Sequence, residues 1–183
     1  MILKPTKEDL ARAVDQTVRD VLAPGLDVVF CGINPGLYTA AVGHHFARPG
    51  NRFWPTIFGA GFTPRLFSPF EDGALPELGI GITNVVARAT AAAAELTETE
   101  LKEGAAILKK KMREFAPRYL AIVGIGAYRT GFDRPRARMG LQPETIGGAT
   151  RIWVLPNPSG LNANYRPGEL VAVYAELRKA MAG

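Results

Sequence analysis

The chain has 183 residues, 47% of them apolar and 21% charged, a make-up that supports a full hydrophobic core in one globular domain over residues 1–183 and excludes a disordered or low-complexity protein. A net charge of +5 and an isoelectric point near 9.6 favour an anionic partner such as nucleic acid without identifying it. A lone cysteine, Cys31, excludes a disulfide framework, an iron–sulfur ligand set and a Cys-based zinc site.

The first residues, Met1-Ile2-Leu3-Lys4-Pro5, carry no apolar leader core, and no window reaches the length of a membrane span, so an intracellular, soluble protein is expected. Thr6-Lys7-Glu8-Asp9 reads as a capping box, and Leu10, Val14, Val18, Val21 and Leu22 keep helical spacing up to Pro24-Gly25, which predicts one long first helix. Val28-Val29-Phe30-Cys31 is an apolar, β-branched run that breaks into Gly32-Ile33-Asn34-Pro35-Gly36, a buried strand emptying into a sharp polar turn. Cys31 reads as a packing residue. No period holds from Tyr38 to Gly50, so His44, His45, Phe46 and Arg48 are assigned to a loop. Asn51-Arg52-Phe53-Trp54 opens a short helix capped by Asn51, with Pro55 in its first turn and its aromatics in the core.

Ser68-Pro69-Phe70-Glu71 starts another short helix, which Gly73 or Pro76 should interrupt. A second strand follows from Ile80 to Val86, then four alanines, Ala91 to Ala94. Thr97-Glu98-Thr99-Glu100 caps the longest helix, whose apolar stripe Leu101, Ala105, Leu108, Met112 and Phe115 runs to Pro117, while Lys109, Lys110, Lys111 and Arg113 form a solvated face. Tyr119 to Val123 is a third strand, leading into Gly124-Ile125-Gly126 and a short helix through Tyr128. The third glycine of a dinucleotide fingerprint would fall on Arg129, which excludes that cofactor. Arg134, Arg136 and Arg138 lie in an irregular loop and face either solvent or phosphate. Arg151 to Leu155 is a fourth strand, ending in Pro156-Asn157-Pro158-Ser159-Gly160-Leu161-Asn162. Pro167 opens the last helix, with the stripe Leu170, Tyr174, Leu177 and Met181.

Strands separated by helices predict an α/β class fold, a three-layer α/β/α arrangement around a mostly parallel sheet whose carboxyl-end loops converge on one crevice. Few groups could do chemistry there, since the chain has only two serines and two histidines. Ser159 lacks a Gly-x-Ser-x-Gly elbow, no lysine follows a glycine turn as in a phosphate-binding loop, and no His, Asp and Glu have metal spacing. Two Asn-Pro turns with glycine remain. Taken alone each is as readily a structural turn, Phe46 a core aromatic, and Leu161 a residue that anchors its own loop.

Gly32-Ile33-Asn34-Pro35-Gly36, Asn51-Arg52-Phe53-Trp54 and Asn157-Pro158-Ser159-Gly160-Leu161-Asn162, in that order, resemble the mismatch-specific uracil-DNA glycosylases, relatives of thymine-DNA glycosylase, over nearly the whole chain from Asp27 onward. The resemblance implies a monofunctional, monomeric glycosylase that needs no metal or cofactor. Its partner would be double-stranded DNA with a U·G mispair, from which it flips uracil and hydrolyses the N-glycosidic bond. It implies that Asn34 holds the attacking water, that Ile33, Gly36, Phe46 and Asn157 meet the base, and that Ser159, Gly160, Leu161 and Asn162 meet the DNA, with Leu161 as the wedge. Extrusion of a base does call for a stacking surface, a plug and phosphate contacts.

The departures from faster uracil enzymes carry information. Those have an aspartate where Asn34 stands, a tyrosine near Gly36 and a histidine where Asn157 stands, so slow turnover and loose selectivity, open to ethenocytosine and less readily to thymine, are expected. The alanine run replaces polar or acidic side chains common in relatives, and the arginine that relatives carry just after the wedge is missing, with Arg166 as a substitute candidate. A non-catalytic lesion binder and a small-molecule α/β enzyme are the competing readings.

Overall fold

The computed structural model describes residues 4–183, so the reading of Met1 to Pro5 falls in part outside the described residues. Five strands, β1 (Val28–Gly32), β2 (Ile80–Asn84), β3 (Tyr119–Val123), β4 (Gly140–Ile146) and β5 (Thr150–Leu155), form one sheet in the order β2-β1-β3-β5-β4. All neighbours pair in parallel except β4, which runs antiparallel to β5 at one edge. Helices cover both faces, as a mostly parallel sheet requires.

Alternate strand residues supply two cores. Val28, Phe30, Tyr119, Ala121 and Val123 pack against Phe53 and Ile57 of α3 (Phe53–Gly59) and Leu170, Tyr174 and Leu177 of α6 (Pro167–Ala182). Val29, Cys31, Leu120, Ile122, Ile152 and Val154 face Ala105, Leu108 and Met112 of α4 (Glu98–Phe115) and Tyr128 of α5 (Ile125–Gly131). Each large side chain so buried stabilises the fold by about 1.5–3 kcal/mol. Cys31 is fully buried in this packing, and desolvation pushes its thiol far above the usual range, so it is inert.

Four expectations need correction. The first helix, α1, covers only Lys7–Arg12: its capping box forms, but Asp15 adopts a left-handed φ of 62° and the chain extends. Val21 then exchanges both backbone hydrogen bonds with Ile82, 2.9 and 2.8 Å, along the open edge of β2. Thr17, Val18 and Val21 are poor helix formers, and an unpaired sheet edge outweighs their periodicity. The segment after Gly36 is not all loop but holds α2 (Leu37–Val42). The helix after Ser68 runs unbroken through Gly73 and Pro76 as a 3-10 helix, Pro69–Leu78: Pro76 forfeits only its own N–H bond, and the winding closes beyond it with the Gly79 N–H on the Leu75 and Pro76 carbonyls. Strand β4 was not anticipated at all. Pro143 sits exposed on it beside a register shift between Leu141 and Thr145, and Gly147 and Gly148, at φ 61° and 76°, make the tight turn into β5.

Gly104 and His45 give two tests of this packing. A Cβ on Gly104 would overlap the Val85 carbonyl oxygen, so Gly104→Ala should lower stability by about 1–2 kcal/mol in denaturant unfolding although alanine favours helix by about 1 kcal/mol. The His45 imidazole is held below its usual 6.5, first by burial, against a counteracting bond from its Nε2–H to the Arg19 carbonyl at 2.8 Å. The unfolded chain therefore binds the proton more readily. This contribution is fully present above pH 6.5 and is lost as pH falls through that value toward the folded one. Melting temperatures between pH 8 and 5 should fall more for the wild type than for His45→Gln.

Candidate active site

Parallel register levels the strand ends. Cys31 lies opposite Ile122, and Val123 opposite Leu155, so β1, β3 and β5 stop at one height. Asn34 and Asn157 each stand two residues past their strand, and the two strands lie two ladder spacings apart, about 10 Å. Between them, Gly124 at φ 156° leaves β3 with Ile33 packed so close that a Cβ would meet its Cγ1 at 3.0 Å. The two Asn-Pro turns are neighbours on one edge.

Asn34 is fixed in orientation. Its Nδ2 donates to the Arg88 carbonyl at 3.0 Å and to Thr90 Oγ1 at 2.8 Å, while the Thr90 hydroxyl itself donates to the Ala92 carbonyl at 2.8 Å. Both acceptors demand the nitrogen, so the oxygen Oδ1 is the outward end, and it accepts no hydrogen bond among the described residues. The loop that supplies these acceptors is itself braced. Arg88 donates from Nε and Nη2 to Glu100 at 2.5 and 3.1 Å and from Nη1 to Asp15 at 3.0 Å. Arg88, and then the Thr97 N–H, hold the Glu100 carboxyl down to about 2, so this brace persists across the working pH range.

Phe46 lies beside the same strand end. Its ring stacks on Phe53 with centroids 4.1 Å apart, and a Cβ on Gly32 would meet its Cζ at 3.5 Å. Its backbone is held at φ 51°, a strained conformation for a bulky residue that costs about 1–3 kcal/mol. The neighbouring His45 fixes it there, donating its N–H to Asp72 at 2.9 Å and accepting from Trp54 Nε1 at 3.1 Å. Gly36 is exposed, with open space where a Cβ would point. Asn84, which the strand pattern concealed, belongs to this group. It ends β2, a Cβ on Gly32 would meet its Oδ1 at 2.6 Å, and its side chain has no hydrogen-bond partner among the described residues. A polar residue closing an otherwise apolar strand was the available signal.

The second turn is held from within by Arg52. Its N–H donates to the Pro158 carbonyl at 3.0 Å, Nη1 to Tyr165 O at 2.6 Å, and Nη2 to Ser159 O at 2.8 Å and Asn162 O at 3.0 Å. Gly160 presses against Gly50, whose carbonyl oxygen would lie 2.6 Å from a Cβ. Leu161, 78% exposed, is lifted clear of the surface. Asn157 Oδ1 accepts from the Ser159 N–H at 2.9 Å, which leaves its Nδ2 as the free end, and Ser159 Oγ accepts from the Leu161 N–H at 3.2 Å. Asn162 uses both ends of its side chain inside the loop, donating to Asn157 O and accepting from the Asn164 N–H. Asn51 accepts from the Phe53 N–H at 2.9 Å one residue outside the helix, whose cap position is Arg52. An open cavity of about 270 Å³ beside this contact is lined by Arg48, Gly50, Ser159 and Leu161.

His44 is turned to Asp72, with Nδ1 2.9 Å from its Oδ1, and so serves the loop below the site. Ala91 to Ala94 are exposed, and the nearby Glu95 carboxylate accepts from the Ala92 N–H at 2.6 Å. Among the described residues no group of three His, Cys, Asp or Glu side chains could hold a metal ion, and no helix is long and apolar enough to cross a membrane.

The fold is similar to the solution NMR structure of a protein from Methanosarcina acetivorans described as a "putative Uracil DNA glycosylase", with a TM-score of 0.54 and 18% identity over 90% of this chain and 99% of that one. At that identity the likeness speaks for the fold. The model of the family described as the uracil DNA glycosylase superfamily matches residues 19–178, a span that holds both Asn-Pro turns, Phe46 and Arg52. The chain belongs to the uracil DNA glycosylase superfamily.

Proposed function

We propose that the protein is a monofunctional, mismatch-directed glycosylase, related to thymine-DNA glycosylase and acting as one domain. It flips uracil, and bulkier lesions such as ethenocytosine, out of a mispair with guanine in double-stranded DNA and hydrolyses the N-glycosidic bond. The observation that carries this reading is the polarity of the two asparagines. The free end of Asn34 is an acceptor, suited to a water, and that of Asn157 is a donor, suited to the carbonyl of a departing base.

In the reaction the water oxygen bonds to C1′ of the sugar as the C1′–N bond breaks, and the electron pair leaves with the base. One water proton passes to solvent and the base anion later takes one up, so the products are an abasic sugar and a free base. Asn34 Oδ1 aligns the water. Its amide cannot become an ionised base, so turnover is slow, and fixed dipoles supply most of the stabilisation of the separating charge. The Ile33 backbone, Asn84 and Asn157 Nδ2 meet the base edge, Phe46 stacks on its face, and the open space at Gly36 admits substituents at C5. Leu161 fills the gap left in the duplex. Ser159, Gly160 and Asn162 shape the turn that carries it against the phosphates. A non-catalytic lesion binder is the second reading, favoured by the exposed alanines where a carboxylate could have assisted the water.

The deciding experiment incubates the protein with a duplex containing one U·G pair and assays abasic sites. Abasic product is expected; tight binding without product would favour the lesion binder. Asn34→Ala should lower single-turnover excision by about 10²–10³-fold while duplex binding changes little. Leu161→Ala should lower excision from the U·G duplex about tenfold yet leave uracil in single-stranded DNA nearly unaffected, since there is no stack to hold open. Arg52→Gln should reproduce that duplex-only defect, because it frees the turn that presents Leu161.

A further inference from the structure

The loop between α5 and β4 carries arginines that the site described above does not use. Because β4 runs antiparallel to β5, with Gly140 opposite Val154, this loop returns to the carboxyl ends of the parallel strands, one strand outward from the Asn157 turn. There it walls an open cavity of about 470 Å³ that shares no residue with the cavity beside Leu161. Its shape is braced internally. Arg129 donates from Nε and Nη2 to the Ala137 carbonyl at 2.9 and 2.7 Å, and Arg134 Nη2 is paired with Glu144 at 2.9 Å, which also accepts from Tyr128 at 2.6 Å. Two guanidiniums are left over. Arg136 and Arg138 line the cavity, are exposed, and their side chains make no hydrogen bond or ion pair among the described residues.

We propose that Arg136 and Arg138 are a phosphate seat for duplex DNA, separate from the base pocket and the wedge. The proposal rests on the glycosylase reading for the identity of the ligand. A duplex opened at the wedge must continue across the sheet edge, and one to two strand spacings, about 5–10 Å, correspond to about two or three base-pair steps of 3.4 Å. The seat therefore engages backbone phosphates about two or three base pairs from the lesion, on the β4 side. Planar guanidiniums on a proline-stiffened, internally bonded loop suit phosphate oxygens and lose little freedom on binding. An extended peptide is disfavoured as the occupant, because exposed Pro143 and the register shift between Leu141 and Thr145 spoil the free edge of β4 for strand addition.

The test measures binding of the full-length chain to a U·G duplex and to a lesion-free duplex between 50 and 200 mM salt, for the wild type, Arg136→Gln/Arg138→Gln and a control. The control, Lys110→Gln/Arg113→Gln, removes the same charge from the exposed side of α4 near the opposite end of the sheet. If each arginine meets one phosphate, the slope of log affinity against log salt becomes shallower by about 1.8, and the rise in salt costs the double variant about tenfold less affinity than the wild type. The control keeps the wild-type slope. Neutral methylphosphonates placed singly along each strand should weaken wild-type binding at one or two positions about two or three base pairs from the uracil and leave the double variant indifferent there. That scan on the wild type decides the matter even if the double variant is unstable. A wild type that excises uracil while the double variant keeps its slope, or a scan with no such position, overturns the seat alone. A wild type that neither binds nor excises overturns the seat together with the glycosylase reading.

Discussion

The level register of β1, β3 and β5 is the constraint on which the rest of the molecule depends. A slip of one residue between β1 and β3 would move one Asn-Pro turn about 3.3 Å relative to the other and exchange the faces of every side chain on the strand. The two cores are too unlike to allow that. Phe30 meets Phe53 and Phe62 edge-on at 5.3 and 5.2 Å and lies over Tyr174 at 6.3 Å, whereas the opposite face at the next position accommodates only Cys31. Packing of ordinary apolar residues thus sets the separation of two polar turns to which none of them belongs.

On that frame two arginines act inside the protein before any act on a ligand. Arg52 gathers the carbonyls of the turn that carries Leu161, and Arg88, held by Glu100 and Asp15, braces the loop whose carbonyl and hydroxyl orient Asn34. A guanidinium suits this role because its planar fork satisfies several carbonyl or carboxylate oxygens at fixed angles, which a lysine could not do. The consequence is that the two asparagines, chemically identical, are pinned in opposite senses. One shows oxygen and the other nitrogen, so a single residue type supplies both an acceptor and a donor across about 10 Å of sheet edge.

Much of this was legible in the sequence, and the gaps have physical causes. The four apolar strands, the long capped α4 and the Asn-Pro turns declare themselves because burial on both faces leaves uninterrupted apolar runs and because proline beside asparagine has few conformations. Strand β4 was hidden since an edge strand needs only one buried face and tolerates Pro143; the Gly147-Gly148 turn between Ile146 and Thr150 was the overlooked signal. Periodicity carries the first helix on to Leu22 because it cannot report that Val21 has a sheet edge to bond. For the site, the family resemblance and not the residue types taken alone singles out Asn34, Phe46, Asn157 and Leu161 as candidates, and which end of each amide faces outward depends on Arg88, Thr90 and Ser159, contacts that no spacing encodes. Asn84 was missed for the same reason, as its closeness to Gly32 is a cross-strand contact.

The strain at Phe46 connects the stability of the fold to the proposed chemistry. A left-handed phenylalanine is unfavourable, and it persists only because Phe53 stacks beneath its ring while Asp72 and Trp54 bond its neighbour His45. That cost is met when the chain folds, not when DNA binds. A flipped base would then find the stacking surface already in place, as well as an oriented acceptor and donor. With no ionisable group at Asn34, the proposed chemistry would rest almost wholly on such preorganisation, and the open space at Gly36 would let a larger base enter without any part of the frame having to move.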